Sequence, residues 1–247
     1  MIPKVIHYCW FGKKKLPKSA QKCIESWKYF FPDFEIKEWN EDNFDINIIP
    51  YTTQAYNAKK YAFVSDFARF WILHKEGGLY FDTDVEVVKD MRPILDEGPF
   101  MGFELNPINN LNRKMRVNPG LGLGVKAGHH FYKEMIDLYS DMHWVSYKDA
   151  NKEMPTVVDY TTSMLIDKGL KKINRQQTIE GIHIYLEDVF CPISIVDAKL
   201  RITDNTCTIH WFDQSWQSPL RKYGRKLALR IGGTRLKNLI KAIIDLK

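Results

Sequence analysis

Gly77-Gly78-Leu79-Tyr80-Phe81-Asp82-Thr83-Asp84-Val85 is the stretch on which the reading of this chain turns. From Leu79 to Val88 the residues are apolar and rich in β-formers, which predicts a strand closed by Met91-Arg92-Pro93. Two carboxylates interrupt it, two residues apart. On an extended backbone Asp82 and Asp84 project to one side, and Phe81, Thr83 and Val85 to the other. Acids on so apolar a segment need a cation or hydrogen-bond donors if partly buried. At a strand end such a pair can hold Mg²⁺ or Mn²⁺ together with phosphate oxygens. Gly77-Gly78 permits a tight turn and close backbone approach just upstream. A bare D-x-D also occurs on ordinary surfaces, so its neighbours carry the weight.

Upstream, Thr53 to Lys75 reads as one long helix ended by Gly77. Asp66 and Arg69 are spaced i,i+3 and share a helix face. Ser65 adjoins them, and Phe63, Phe67, Phe70 and Trp71 supply apolar packing. Arg69 can contact phosphate or orient Asp66 toward sugar hydroxyls, roles suited to a guanidinium's paired donors. A plain helix-surface ion pair is the alternative.

Further back, Lys4 to Trp10 reads as a strand, residues 18–31 as a helix stopping before Pro32, and Phe34 to Trp39 as a second strand. That order predicts an α/β sheet. The carboxyl ends of strands in such a sheet face the ligand, which puts His7, Tyr8, Trp10 and Phe11 near it. Trp10 or Phe11 suits stacking on a base, with room left by Gly12. His7 alone reads as a structural hydrogen-bonder rather than a base. Lys13, Lys14 and Lys15 fit either phosphate attraction or a solvated turn.

Downstream, residues 98–128 are rich in Gly, Asn and Pro, with short strands expected at 100–104 and 120–125 and an exposed loop at 106–116. Helices are expected at 131–139 and 160–168, and strands at 182–186 and 208–211. His210-Trp211-Phe212-Asp213-Gln214-Ser215-Trp216 gathers polar and aromatic groups late in the chain. His210 can add a nitrogen ligand to the two aspartates. Ser215 and Trp216 can contact a diphosphate or close over it. His129-His130 carries less, since adjacent residues share no helix or strand face.

Length and composition bound the rest. The chain has 247 residues, 45% of them hydrophobic and 13% aromatic, enough for one substantial domain. No secretory or membrane-spanning run is evident, and Cys9, Cys23, Cys191 and Cys207 are scattered, so a reduced cytoplasmic setting is expected. The net charge of +6 hides an asymmetry: residues 221–247 hold nine basic side chains and one acid, and the remainder holds 27 and 29. The body is therefore not expected to bind nucleic acid. The tail, with Gly232-Gly233 between two amphipathic stretches, suits peripheral contact with an anionic membrane. No G-x-S-x-G elbow, phosphate-loop motif or early G-x-G-x-x-G is present.

Taken together, three blocks resemble glycosyltransferase family 32, which groups yeast initiating α-mannosyltransferases with bacterial capsular-polysaccharide transferases. The blocks are Ile2 to Gly12, Ala62 to Arg69 followed by Gly77 to Val85, and His210 to Trp216. The resemblance implies a GT-A-type nucleotide-diphospho-sugar transferase fold, a single mixed-sheet α/β domain over residues 1–219 with acceptor-side insertions and a basic tail at 220–247. It implies a nucleotide-sugar donor, UDP-linked foremost, with Mn²⁺ or Mg²⁺. Asp84 would be the direct metal ligand, Asp82 would contact donor ribose and metal-bound water, and His210 would be the later ligand. Asp66 and Arg69 would lie on the sugar and phosphate sides and act with Asp82 and Asp84 at the chemistry. Trp10 would lie near the base and Ser215 and Trp216 near the diphosphate, with His7, Phe11, Ser65 and Tyr80 completing the donor contacts.

The expected reaction is retaining transfer of a hexosyl or N-acetylhexosaminyl group to a glycan or lipid-linked oligosaccharide in surface or capsular polysaccharide synthesis. The expected place is the cytoplasm, peripheral to the inner face of the membrane. A metal-dependent phosphohydrolase and a noncatalytic carbohydrate-binding domain are the competing readings.

Overall fold

The computed structural model describes residues 1–106, 114–145, 155–171, 173, 175–193 and 199–213. Strand β1 (Val5–Cys9) leads through α1 (Lys18–Phe30) to β2 (Glu35–Trp39), which lies parallel to β1 in register Val5 to Glu35. In α1 the buried residues Ala20, Cys23, Ile24 and Trp27 follow the three-four spacing of a one-sided helix. Pro32 forbids its continuation.

Two helices replace the single one expected at 53–75: α2 (Pro50–Asn57) and α3 (Tyr61–Glu76). The break falls at residues 58–60, where Lys59 takes a left-handed φ of 59° and the Lys60 amide closes back on Ala55 O at 2.8 Å. Neither Gly nor Pro marks this link, so the sequence pattern ran through it. Helix α3 buries Val64, Asp66, Phe67, Ala68, Arg69, Phe70, Ile72 and Leu73, so both polar site residues sit among core side chains. Gly77 and Gly78, at φ 68° and 98°, turn the chain back into the sheet. A Cβ on Gly77 would come within 2.7 Å of the Ala127 amide nitrogen.

The expected strand from Leu79 to Val88 is also interrupted. Strand β3 (Gly78–Tyr80) joins the main sheet and β4 (Val85–Val87) leaves it, with a turn over 83–84 in between. After α4 (Arg92–Glu97) come β5 (Phe100–Asn106), β6 (Lys114–Val117) and β7 (Leu123–Val125). The pairing of β5 with β6 puts an antiparallel ladder where an exposed loop was expected, its tip outside the described residues. Helices α5 (His130–Ser140) and α6 (Val157–Asp167) follow, then β8 (Gln177–Ile179), β9 (Ile182–Tyr185), α7 (Glu187–Phe190) and β10 (Thr208–His210).

The main sheet runs β2-β1-β3-β7-β5-β9-β8, with β6 paired to β5 off that path. Strands β1, β2 and β3 are mutually parallel, β7 opposes β3 and β5, and β9 is parallel to β5, so the sheet is mixed. One apolar core gathers Tyr51, Phe67, Phe70, Phe131, Tyr139 and Leu165, and another gathers Trp27, Phe31, Phe81, Ile94 and Phe190. Helices therefore cover the sheet on both faces. Strand β10 pairs antiparallel with β4, His210 opposite Val85, in a separate two-stranded sheet. That pairing carries the late part of the chain to the two aspartates.

Candidate active site

A cleft of about 740 Å³ opens beyond the carboxyl ends of β1 and β3. Its lining includes Trp10, Phe11, Ser65, Asp66, Arg69, Asp82, Asp84 and His210, drawn from four segments far apart in the chain and all singled out by the sequence reading. The floor is the turn between β3 and β4. Because the backbone bends there, the aspartates converge through a turn rather than through strand alternation, and the Val85 amide donates to Asp82 O at 3.0 Å.

Arg69 organises one half of the floor. Its Nη2 donates to Asp66 Oδ1 at 2.9 Å and lies 3.3 Å from Asp82 Oδ1, while its Nε donates to Ser65 O at 3.1 Å. The Tyr80 hydroxyl also donates to Asp82 Oδ1, at 3.2 Å. Tyr80 is itself buried under the cleft, with the Arg69 guanidinium carbon 5.0 Å from its ring centre. Burial pushes Asp66 up to about 7, with Arg69 opposing the rise and Asp82 adding to it. Burial likewise raises Asp82, against Arg69; its side chain is 30% exposed to the cleft, and water there damps the effect.

His210 and Asp84 form the other half. His210 Nε2 stands 3.2 Å from Asp84 Oδ1. The Asp213 amide donates to Asp84 Oδ2 at 2.9 Å, and the Trp211 amide to Asp84 O at 2.9 Å. Burial works to raise Asp84, but the facing His210 and the Asp213 amide outweigh it and hold the carboxyl below its usual range. Burial works to lower His210, and the Asp84 carboxylate overrides that and raises it well above 6.5. At neutral pH the two form an ion pair.

One ligand atom each from Asp82, Asp84 and His210 can be chosen so that all lie within 4.8 Å of one another, the one such group found among the described residues. Two carboxylates and an imidazole fit a divalent ion of the Mn²⁺ kind, which accepts oxygen and nitrogen together. The buried Nδ1 of His210 has no hydrogen-bond partner, which leaves Nε2 as the nitrogen facing the aspartates.

His7 stands elsewhere. It is fully buried, accepts from Trp39 Nε1 on Nδ1 at 3.0 Å and donates from Nε2 to Gly77 O at 2.9 Å. With both ring nitrogens engaged it ties β1 to the Gly77 turn and does not line the cleft. Gly12 packs against the Tyr61 ring, which a Cβ there would overlap. Ser215, Trp216 and the basic segment 220–247 lie outside the described residues.

The sequence reading missed the opposite wall. Glu104, Arg116, Asn118, Thr156, Val157 and Val158 line it, brought in by β5, β6 and the start of α6. Its one sequence signal was the glycine run from Gly120: a Cβ on Gly120 would overlap Asp82 Oδ2, so the backbone there passes directly against the carboxylate. Lys59, Tyr61 and Phe212 were missed as well. They reach the cleft through the helix break and the turn after β10, where Phe212 has a positive φ of 52° and its ring centre lies 4.2 Å from that of His210, tilted by 57°.

The glycosyltransferase sugar-binding region containing a DXD motif matches residues 17–101, about a third of the chain. That span holds Asp66, Arg69, Asp82 and Asp84. Inositol phosphoceramide mannosyltransferase 1 of Schizosaccharomyces pombe is 26% identical over 143 residues, covering 53% of this chain and 43% of that protein. An uncharacterized glycosyltransferase of Acanthamoeba polyphaga mimivirus is 34% identical over 106 residues, 40% of this chain and 42% of its own. The chain thus spans less than half the length of these relatives. Among solved structures, the PaToxG glycosyltransferase superposes with a TM-score of 0.51 at 19% identity, covering 68% of this chain and 70% of that one.

The fold resembles the GT-A type of nucleotide-sugar transferases. It bears a DXD-type sugar-binding region related to those of several sugar transferases, and its acidic and histidine cluster can coordinate a metal. Among the described residues no helix is long and apolar enough to cross a membrane.

Proposed function

We propose that the protein is a metal-dependent retaining glycosyltransferase that uses a nucleotide-sugar donor. The observation that carries this reading is the convergence of Asp82, Asp84 and His210 at the floor of a cleft whose adjoining side holds the Arg69–Asp66 pair. Asp84 and His210, with Asp82, would hold Mn²⁺ or Mg²⁺. When bound, the ion neutralises the charge that develops on a departing diphosphate.

The chain's own residues then have distinct work. Arg69 stays charged, opposes the protonation that burial favours at Asp66 and Asp82 and keeps both aimed, with Asp66 available to sugar hydroxyls. Trp10 lines the cleft near Lys14 and Lys59, a side suited to a base and phosphates. The Asp213 amide fixes Asp84, so the carboxylate needs no reorganisation when charge appears nearby. Of the carboxylates lining the cleft, Asp66, Asp82, Asp84 and Glu104, each is already held by a cationic partner. That favours front-face transfer, in which the leaving phosphate assists the acceptor hydroxyl, over a covalent glycosyl-enzyme. Isolation of an enzyme bearing the donor sugar covalently would overturn it.

UDP-hexoses and UDP-N-acetylhexosamines head the donor panel. GDP-mannose joins it because the Schizosaccharomyces pombe relative is named a mannosyltransferase. A glycan or lipid-linked oligosaccharide acceptor, membership in family 32, a role in surface polysaccharide synthesis at the cytoplasmic face of the membrane, and membrane contact through residues 220–247 complete the reading. The test is Mn²⁺-dependent turnover of that panel by wild type and Asp84→Asn, with slow donor hydrolysis as the signal. One sugar turned over by wild type and not by the variant supports the reading. No turnover and no metal-dependent nucleotide binding favours a carbohydrate-binding domain, and phosphate release from simple monoesters favours a phosphohydrolase.

A further inference from the structure

Glu104 is a carboxylate only 3% exposed on β5, and both of its oxygens are committed. Arg116 Nη2 donates to Oε1 at 2.8 Å and Asn118 Nδ2 donates to Oε2 at 2.7 Å. From Asn118 the chain of contacts runs to the floor of the cleft. Asn118 Oδ1 accepts from the Gly120 amide at 2.7 Å, and the Gly120 carbonyl accepts from the Asp82 amide at 3.3 Å. Gly120 also lies against Asp82 Oδ2 so closely that a Cβ has no space. From Arg116 the contacts run outward: Nη1 donates to Asp159 Oδ1 at 2.9 Å, and Asp159 closes the capping box with Thr156 at the start of α6.

Burying a carboxylate is costly, and a buried ion pair often adds little net stability. A hydrophobic pair would fill the same volume. What such a pair cannot do is fix the direction of Asn118, and through it the Gly120 peptide that borders Asp82.

We propose that Glu104 is a positioning residue for the metal-binding carboxylate Asp82, acting through Asn118 and Gly120, with Arg116 carrying the same constraint to the wall formed by α6. The inference rests on the metal-site reading above. Glu104 touches neither the metal nor, in this reading, the reacting atoms. It sets the loop that holds Asp82 Oδ2 in place while Arg69 and Tyr80 hold Oδ1 from the other side.

Mn²⁺ titration of the full chain, followed by the electron paramagnetic resonance of free and bound ion, tests this without any turnover assay. Glu104→Ala frees Asn118, and Mn²⁺ affinity is expected to fall about tenfold or more, as when partners behind metal ligands are removed. Glu104→Gln keeps an oxygen acceptor for Asn118 while setting its amide against Arg116. It is expected to return affinity to within about threefold of wild type, against that tenfold loss. If Glu104→Ala does not fold, Asn118→Ala removes the same link to Gly120 and the same loss is expected.

A folded Glu104→Ala or Asn118→Ala that binds Mn²⁺ as wild type does would overturn the proposal. So would Glu104→Gln losing as much affinity as Glu104→Ala, because the charge and not the bond to Asn118 would then be responsible. Wild type that binds no Mn²⁺ fails at the earlier step and overturns the metal site itself.

Discussion

Arg69 bridges two carboxylates with one nitrogen, 2.9 Å from Asp66 and 3.3 Å from Asp82, in a side chain only 4% exposed. The three residues come from α3 and the β3–β4 turn, so this single group sets the angle between helix and floor. A lysine in its place offers a point charge and no planar fork. Arg69→Lys is expected to leave a folded protein whose donor turnover falls about a hundredfold, the scale for losing one preorganised donor. Arg69→Ala leaves the buried Asp66 and the half-buried Asp82 without a cation and is expected to destabilise by about 3 kcal/mol. Thermal unfolding beside donor hydrolysis separates the two; full activity in Arg69→Lys would remove Arg69 from the chemistry.

The His210–Asp84 ion pair makes metal binding a competition with a proton. Asp84 raises His210 well above 6.5, so through neutral pH Nε2 is protonated in the metal-free protein. A metal must displace that proton. Mn²⁺ affinity is expected to rise with pH through neutrality, with protons released on binding. His210→Gln should bind more weakly and with a flatter pH profile. Calorimetry in buffers of different ionisation enthalpy counts the protons, and a wild-type affinity independent of pH contradicts the assignment.

Gly120 tolerates no side chain because Asp82 Oδ2 and Asn118 Oδ1 already occupy the place of a Cβ. Gly120→Ala is expected to push the Asp82 carboxylate off its position and lower Mn²⁺ affinity by about tenfold. Gly128 is a useful contrast, since a Cβ there meets nothing within 4 Å; its φ of 79° makes alanine strained but leaves the cleft alone. Gly128→Ala should therefore lower the melting temperature and keep Mn²⁺ affinity. Equal affinities for Gly120→Ala and wild type would show that the floor adapts.

His7 gives the fold an acid-side weakness. Burial lowers it from 6.5 to about 4, against the Gly77 carbonyl, which favours the charged ring, and Trp39 Nε1 donates to Nδ1 only while that nitrogen is unprotonated. The folded state therefore binds fewer protons than the unfolded chain between these values. Stability from this residue is fully present above pH 6.5 and is lost as pH falls toward 4, by on the order of 3 kcal/mol. The raised Asp66 acts in the opposite sense, since its burial favours the folded state as pH falls through about 7. His7→Gln, with no titrating ring, should be less stable at pH 7 and lose less between pH 6.5 and 4. Urea unfolding at several pH values checks this, and parallel curves for both proteins would rule out His7.

The β-α-β opening was legible because apolar spacing in α1 and the strands on either side is regular, with Pro32 as a stop. The Asp82-Thr83-Asp84 turn, Asp66 and Arg69 were legible as chemistry, since acids and an arginine among aromatics need partners. Their geometry was not. Nothing in Phe81-Asp82-Thr83-Asp84 signals that β4 departs from the main sheet, because that depends on β10 arriving from more than a hundred residues away. The break at Lys59 has no glycine or proline to announce it. The wall of Glu104, Arg116 and Asn118 escaped because its meaning lies in mutual contacts across β5 and β6, and local pattern shows only an irregular stretch.

The pairing of β4 with β10 also has a bearing on the life of the chain during synthesis. Asp82 and Asp84 leave the ribosome early, but their histidine and the amide that steadies Asp84 come from residues 210 and 213. A nascent chain can thus complete most of its main sheet while still unable to capture a cation well. Loss of the segment after β9 would leave Arg69 and both aspartates in place without His210 and the Asp213 amide, the state of that unfinished chain.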